Sequence, residues 1–340
     1  MIGNATTRFS NVALLSVTSR MPSRVTTSEE LEARLQPALK RVGLPGGVLR
    51  RVAGILERRG WTSGESADLA TIAAGNAALR EAGVSASEIG LLINTSVTRK
   101  HLEPSVAVRL HHGLGLPSAA VNFDIANACL GFVNGMSVAA GMIDSGQIRY
   151  AVIVNGEDAD QFQINTVNRL LREDLDREAF MSEFASLTLG SGAAAAVLGR
   201  ADEHPESHRI LGGVARAATE YHDLCVGSVE GMFTDAGGLL HGGLDLVLSA
   251  WKEAQSEWDW ARMDRYVTHQ VSKAHTAAIV DAAGLDPDRV PVTFPRYGNV
   301  GPASIPITLV EEQETLTRGD RVLLVGVGSG INTAIMELAW

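Results

Sequence analysis

The sequence Asn127-Ala128-Cys129-Leu130-Gly131 carries more information about the fold than any other segment. It follows Val121 to Ile125, which predicts a short buried strand, and leads into Leu130 to Ser145, which predicts a largely apolar helix. Cys129 is therefore predicted at a strand-to-helix turn. There, unpaired N–H groups and the helix dipole would lower the pKa of a thiol and favour the thiolate. Taken alone, the residue could equally be a small buried hydrophobe.

Two downstream motifs favour catalysis. His269 ends an apolar run that predicts a strand, and Ser272 is the expected N-cap of the following helix. Asn299 follows Gly298 in a turn-like segment ahead of another predicted helix. An enzyme that joins two thioesters through a carbon–carbon bond needs a thiol to carry one acyl group. It also needs two neutral donors to hold the enolate oxygen of the other. Cys129, His269 and Asn299 could supply all three.

A glycine-rich segment, Gly326-Val327-Gly328-Ser329-Gly330, follows a further predicted strand. Its backbone could approach a ligand closely because glycine has no Cβ. It is not a dinucleotide-binding fingerprint, because the glycine spacing differs and Ile331 and Asn332 lead into a strand rather than a helix.

Composition narrows the protein class. The chain has 340 residues, 45% of them hydrophobic, which is enough for a large core. Its two cysteines, Cys129 and Cys225, argue against a disulfide framework and indicate a reducing cytosol, and we expect Cys225 to be structural. No segment has the length of a membrane span or the layout of a signal peptide, so a soluble, cytoplasmic protein is expected. The net charge of −10 disfavours nucleic acid as a partner.

Strands and helices alternate along the whole chain, which predicts mainly parallel sheets covered by helices. The predicted strands cover residues 12–17, 89–94, 121–125, 151–155, 187–198, 209–219, 266–269, 290–294, 322–327 and 333–338. The predicted helices cover residues 28–41, 67–82, 105–113, 130–145, 239–258, 272–283 and 304–316. The polar segment Ala201 to His208, which contains Pro205, is the predicted linker between an N-terminal half (1–203) and a C-terminal half (204–340). The charged segment 168–183 is predicted as a surface helix or loop with no chemical role.

The ordered set of motifs resembles the ketosynthase III-like branch of the thiolase superfamily, most closely its long-chain acyl-CoA condensing enzymes of bacterial olefin and β-lactone pathways. The matching segments are 91–97, 102–105, 127–130, 187–190, 269–272, 298–304 and 326–330. The resemblance implies a five-layer αβαβα fold of two similar halves, assembled as a homodimer. It implies CoA thioesters as substrates, with no cofactor and no metal. It also implies that Cys129 is the nucleophile, that the backbone N–H groups of Cys129 and Ser329 form an oxyanion hole, and that His269 and Asn299 bind the enolate oxygen.

Glu103 distinguishes two reactions. From the charge pattern alone, it is a solvated carboxylate in the first turn of a helix. The resemblance instead implies a base whose pKa is raised by burial and which reaches across the dimer interface into the partner's site. A base is needed when two fatty acyl-CoA molecules condense without decarboxylation, because an α-proton must be removed. The expected product is a 2-alkyl-3-ketoacyl compound.

Alternatives remain at this point. A decarboxylating ketosynthase III that uses malonyl-carrier protein would leave Glu103 without a catalytic task. A subunit of a heterodimeric condensing enzyme would need a second homologue for activity. The chain also departs from the family pattern at 52–55, where Val-Ala-Gly-Ile replaces the usual Arg before Thr-Gly-Ile. Arg51, Arg58 and Arg59 are the candidate contacts to the CoA nucleotide, although such a cluster is often only a solvated face.

Overall fold

The computed structural model describes residues 5–172, 174–228 and 230–340. The strands are β1 (Thr6–Arg8), β2 (Ala13–Arg20), β3 (Arg24–Thr27), β4 (Glu57–Gly60), β5 (Ile89–Asn94), β6 (Val121–Asp124), β7 (Tyr150–Glu157), β8 (Gly192–Gly199), β9 (His208–Ala217), β10 (Cys225–Gly227), β11 (Met232–Thr234), β12 (Arg265–Thr268), β13 (Arg321–Gly328) and β14 (Asn332–Ala339). The helices are α1 (Ser28–Arg41), α2 (Ala67–Glu81), α3 (Val106–Gly113), α4 (Gly131–Asp144), α5 (Asp160–Arg172), α6 (Arg177–Ser182), α7 (Ala236–Ala254), α8 (Lys273–Ala283), α9 (Phe294–Tyr297) and α10 (Ser304–Glu312).

The principal sheet has the strand order β12-β13-β14-β9-β2-β8-β7-β5-β6, with β1 added on β9. Its two parts meet where Ala13 and Leu14 of β2 pair with β9. The order β2-β8-β7-β5 of the first part corresponds to β9-β14-β13-β12 of the second, and the first part adds β6 beyond β5. The prediction of mainly parallel sheets is wrong, because β5–β6, β5–β7 and β12–β13 are parallel but β7–β8, β2–β8, β13–β14 and β9–β14 are antiparallel. The short turn between β13 and β14 permits only an antiparallel pair.

Five layers follow from the helix contacts. Helices α4 and α10 lie between the two parts of the sheet, since α4 contacts β5, β7 and β8 as well as β14, while α10 contacts β2, β8 and β12. Helices α2 and α3 cover the outer face of one part. Helix α7, with α8 packed on it, covers the outer face of the other. The predicted αβαβα arrangement is confirmed.

The central helix α4 is apolar on nearly all sides because it is enclosed by both parts of the sheet. Phe132 and Met136 are buried in the central core. Small residues let the helix approach the sheet closely: a Cβ on Gly135 would lie 3.0 Å from Thr95 and 3.1 Å from Ile153. This close packing fixes the N-terminus of the helix, where Cys129 lies.

The predicted strand 290–294 is wrong. Gln270 takes the place of a neighbouring strand, because its Oε1 accepts hydrogen bonds from the backbone N–H groups of Thr293 (2.7 Å) and Phe294 (3.3 Å). The sequence also did not predict the two-stranded pairs β3–β4 and β10–β11, or helix α5. Segment 168–183 contains the end of α5 and all of α6. The boundary at 203/204 stays a prediction; it falls between β8 and β9. Among the described residues, no helix combines the length and apolarity needed to cross a bilayer.

Candidate active site

The turn that contains Cys129 lies between β6 and α4, as the sequence predicts. Ala128 has φ +44°, a left-handed conformation that residues with a Cβ rarely adopt and that costs about 1–3 kcal/mol. Two turn hydrogen bonds surround it, from Leu130 N to Asn127 O (3.0 Å) and from Gly131 N to Ala128 O (3.2 Å). The side-chain amide of Asn127 also donates to Asn134 Oδ1 on α4 (2.7 Å). The turn therefore holds Cys129 at the entry to the central helix.

The predicted thiolate is not supported. Cys129 keeps some accessible surface, but protein atoms enclose its thiol, and burial raises its pKa to about 12. The neighbouring Cys225 and Glu157 act in the same direction, since a negative charge near the sulfur disfavours the thiolate. A backbone hydrogen bond at Cys129 opposes them only weakly. Desolvation thus outweighs the helix terminus, and the thiol of Cys129 is neutral near pH 7.

Strand β13 of the C-terminal part ends against this turn. A Cβ on Gly328 would lie 3.4 Å from both Cys129 N and Asn127 O. Ser329 is the next residue of the chain. The backbone N–H groups of Cys129 and Ser329 stay the predicted pair of oxyanion-hole donors.

His269 lies directly after β12, the parallel neighbour of β13. The backbone N–H of His269 donates to Val325 O (2.9 Å). Burial lowers the pKa of His269 to about 3, with a smaller effect from His275, so the imidazole is neutral near pH 7. Its Nδ1 has no hydrogen-bond partner among the described residues. Ser272 caps α8 as predicted, accepting from His275 N. A neutral imidazole donates one N–H without acting as a strong acid, as an enolate-binding group requires.

Asn299 is fixed through its backbone and its side-chain oxygen. Its backbone N–H donates to Thr188 O (2.9 Å), and its backbone carbonyl accepts from Gly190 N (2.9 Å). Its Oδ1 accepts from Gly301 N (2.9 Å). Because Gly301 N–H requires an acceptor, the amide orientation is set, and Nδ2 is left as the donor. The side chain can therefore give a second neutral hydrogen bond.

Glu103 is exposed on the surface of the chain, ahead of α3 rather than in its first turn. The preceding Leu102 is 93% exposed. The burial expected for a base is therefore not supplied by this chain alone.

Two carboxylates hold the segment that carries Glu103. Glu157, at the end of β7, accepts from Val97 N (2.8 Å), Thr98 N (3.0 Å) and Thr98 Oγ1 (2.8 Å). Asp124, at the end of β6, accepts from the first two N–H groups of α3 at 3.0 and 2.9 Å. Burial raises the pKa of Glu157, and its hydrogen bonds partly oppose that shift. Sequence reasoning missed both residues, although each ends an apolar strand next to the predicted site.

The three arginines proposed for the CoA nucleotide differ in exposure. Arg51 lines an open cleft of about 310 Å³ together with Arg50. Arg59 is partly buried and pairs with Glu57 (2.9 Å). Arg58 is 1% exposed and donates to Ser28 Oγ (3.0 Å), and burial lowers its pKa to about 10. Arg51 is the most exposed of the three, and Glu29 and Glu32 line the same cleft.

Cys225 lies on β10 with its sulfur 3.7 Å from Thr234 Oγ1. It is one of the groups that raise the pKa of Cys129. The expectation that it is structural stays a prediction.

Comparison with known proteins matches two family models. Residues 123–217 match the 3-oxoacyl-[acyl-carrier-protein] synthase III model, and residues 254–340 match the model of its C-terminal part. The two matches contain the cysteine turn and the His269 and Asn299 motifs respectively.

Two relatives and a solved structure match nearly the whole chain. An acyl-CoA:acyl-CoA alkyltransferase of Xanthomonas campestris is 43% identical over 98% of this chain and 99% of the relative. A Shewanella oneidensis protein of the same name is 32% identical over 98% of this chain and its whole length. A crystal structure of Xanthomonas campestris OleA, a cysteine-to-serine variant with bound lauric acid and lauroyl-CoA, superimposes with a TM-score of 0.94 at 42% identity. The superposition covers 98% of this chain and all of the chain in the crystal structure.

Proposed function

This chain belongs to the ketosynthase III-like branch of the thiolase superfamily, and we propose that it joins two fatty acyl-CoA molecules without decarboxylation. The product is a 2-alkyl-3-ketoacyl-CoA, and free CoA is released. The proposal rests on where the reacting groups lie. A neutral thiol and two neutral donors lie within one chain, while the only carboxylate of the proposed set, Glu103, lies on a surface loop.

The first step acylates Cys129. The sulfur attacks the thioester carbonyl of the first acyl-CoA, and the backbone N–H groups of Cys129 and Ser329 hold the oxyanion. The carbon–sulfur bond to CoA breaks, and the thiol proton passes to the departing CoA sulfur. Because burial raises the pKa of the Cys129 thiol, we assign proton loss to the attack itself rather than to an earlier step.

The second step forms the carbon–carbon bond. His269 and Asn299 donate to the thioester oxygen of the second acyl-CoA, and Glu103 removes its α-proton. The enolate carbon attacks the acyl carbonyl on Cys129, and the carbon–sulfur bond to Cys129 breaks. Glu103 then returns its proton to the sulfur, which restores both groups.

We assign Glu103 to the partner's site in a homodimer. In support, the edge strand β6 lies open on the same side of the fold as the Glu103 segment, and its Val121 is exposed. Val97, Leu102 and Val108 add exposed apolar surface around it. An unpaired edge with apolar neighbours favours association, and a twofold pair of such faces would bury each Glu103 against the other chain.

We further assign Arg51 to the phosphates of CoA, and the product to olefin or β-lactone biosynthesis in the cytoplasm. Arg51 presents a guanidinium in an open cleft, which suits a solvated phosphate. Two free cysteines fit a reducing compartment.

The test is incubation of the purified protein with one fatty acyl-CoA and no malonyl donor. We expect release of CoA and a product whose mass equals that of two acyl-CoA molecules minus one CoA, or the 2-alkyl-3-keto acid that follows hydrolysis. A product formed only when malonyl-carrier protein is added would favour a decarboxylating synthase. Activity only with a second homologue would favour a heterodimer.

A further inference from the structure

Glu157 is a buried carboxylate to which the proposed reaction gives no role. It ends β7, is 3% exposed, and faces the segment between β5 and Glu103. Its Oε1 accepts from Val97 N, and its Oε2 accepts from both the N–H and the hydroxyl of Thr98. A carboxylate is costly to bury unless its oxygens are hydrogen-bonded, so these three bonds fix it and the segment together.

The bonds act on the backbone rather than on side chains alone. Two consecutive N–H groups, at Val97 and Thr98, point to one carboxylate, which sets the path of the chain as it leaves β5. The hydroxyl of Thr98 in turn accepts from Asp158 N (2.9 Å), so the segment is tied to β7 a second time. Asp124 fixes the far end at the start of α3. Glu103 lies between the two anchors.

We propose that Glu157 is a positioning residue that sets the loop presenting Glu103 to the partner's site. This inference rests on the proposed function, in which Glu103 is the base. Glu157 does not touch the reacting atoms in this role; it fixes where the carboxylate of Glu103 is held.

A second contact would give Glu157 a different role, and the experiment must distinguish the two roles. A Cβ on Gly301 would lie 3.8 Å from the carboxyl carbon of Glu157, so Glu157 also borders the Asn299 loop of its own chain. If that contact mattered more, Glu157 would serve the Cys129 site in the same chain. The two roles belong to different active sites of a dimer, which makes them distinguishable.

The first arm is single-turnover kinetics on Glu157→Gln. Glutamine has nearly the same volume as glutamate, but its amide nitrogen cannot accept a hydrogen bond from a backbone N–H. The variant therefore loses at least one of the hydrogen bonds between residue 157 and the segment at Val97 and Thr98. Acylation of Cys129 should not be slowed, because the substitution removes a negative charge that raises the pKa of Cys129. Condensation should fall about 10²-fold, the cost of a small misplacement of a reacting group. Glu337→Gln is the matched control, since Glu337 is equally buried but bonds Trp260 and Arg321 away from this segment.

The second arm uses subunit exchange. Mixed with Cys129→Ala, Glu157→Gln should regain up to roughly half of the wild-type activity per heterodimer, because one site then combines an intact cysteine with a correctly held Glu103. Mixed with Glu103→Ala, it should regain none, since neither chain offers a correctly held base.

The opposite pattern, recovery with Glu103→Ala only, would assign Glu157 to the Cys129 site of its own chain and overturn the inference. Recovery with neither, or unimpaired condensation by Glu157→Gln, would also overturn it. Failure of the proposed function has a different result: the wild type itself would form no condensation product from acyl-CoA alone. Normal condensation by Glu103→Ala would show instead that Glu103 is not the base. If Glu103→Ala is inactive but does not complement Cys129→Ala, the base acts within its own chain, and presentation to the partner is refuted.

Discussion

Gly328 at the end of β13 lies against Cys129: a Cβ at this glycine would be 3.4 Å from the cysteine's backbone nitrogen. The last strand pair of the C-terminal part therefore lies against the candidate nucleophile, which the N-terminal part carries. The candidate active site depends on how the two parts of the fold are joined, and substitutions can be chosen that test one step of the proposed reaction at a time.

Cys129→Ala should abolish formation of the acyl-enzyme and leave the fold intact. Replacing a small side chain with alanine creates little cavity, so stability should change little. Intact-protein mass spectrometry after mixing with acyl-CoA should show an adduct on the wild type only. Cys225→Ala is the control, and an undiminished adduct on Cys129→Ala would remove this residue from the mechanism.

His269→Ala and Asn299→Ala should each slow condensation more than acylation. Loss of one neutral donor to a developing oxyanion costs on the order of 10²-fold or more. Single-turnover experiments separate the two steps. Equal losses in both would contradict the assignment of these residues to the enolate.

Glu103→Ala should take up one acyl group and fail to condense, because acylation requires no α-proton removal. Mixed with Cys129→Ala under conditions of subunit exchange, it should recover up to roughly half of the wild-type activity per heterodimer. A fully active Glu103→Ala would instead support the decarboxylating reaction.

Gly190→Ala should reproduce the effect of Asn299→Ala without touching that side chain. A Cβ on Gly190 would collide with the carbonyl of Tyr297, and Gly190 N donates to Asn299 O, so the loop must move. We expect condensation to fall about 10²-fold while acylation is retained. Gly141→Ala on α4 is the control, because no atom lies within 4 Å of its added Cβ.

Acid should destabilise the fold through His269. Burial lowers its pKa from 6.5 to about 3, so between these values the unfolded chain binds a proton that the folded chain does not. Stability therefore falls as pH falls from 6.5 towards 3, by at most about 1.4 kcal/mol per pH unit for this residue. Urea unfolding midpoints across this range should decline less steeply in His269→Asn. An identical slope would contradict a neutral, buried imidazole; His241→Asn at an exposed histidine is the control.

Local patterns were sufficient for most elements. Helix α1 and strand β5 have the bounds that the sequence predicts, because a capping residue or an apolar run marks each end. The prediction of a strand at 290–294 is wrong. The apolar pattern of these residues is that of a strand, but Gln270 from a distant position binds the backbone of Thr293. A side chain supplied from elsewhere in the chain cannot be found by periodicity.

The candidate catalytic residues and their order were determined by the sequence alone, since each motif combines a reactive side chain with its own turn. Tertiary structure decided their chemical state. Enclosure by the protein outweighs the helix terminus at Cys129 and reverses the expected shift of its pKa, because desolvation depends on all surrounding atoms. It also decided that Glu103 lies on the surface between two anchoring carboxylates, since Glu157 and Asp124 reach that segment only when separate strands meet in one sheet.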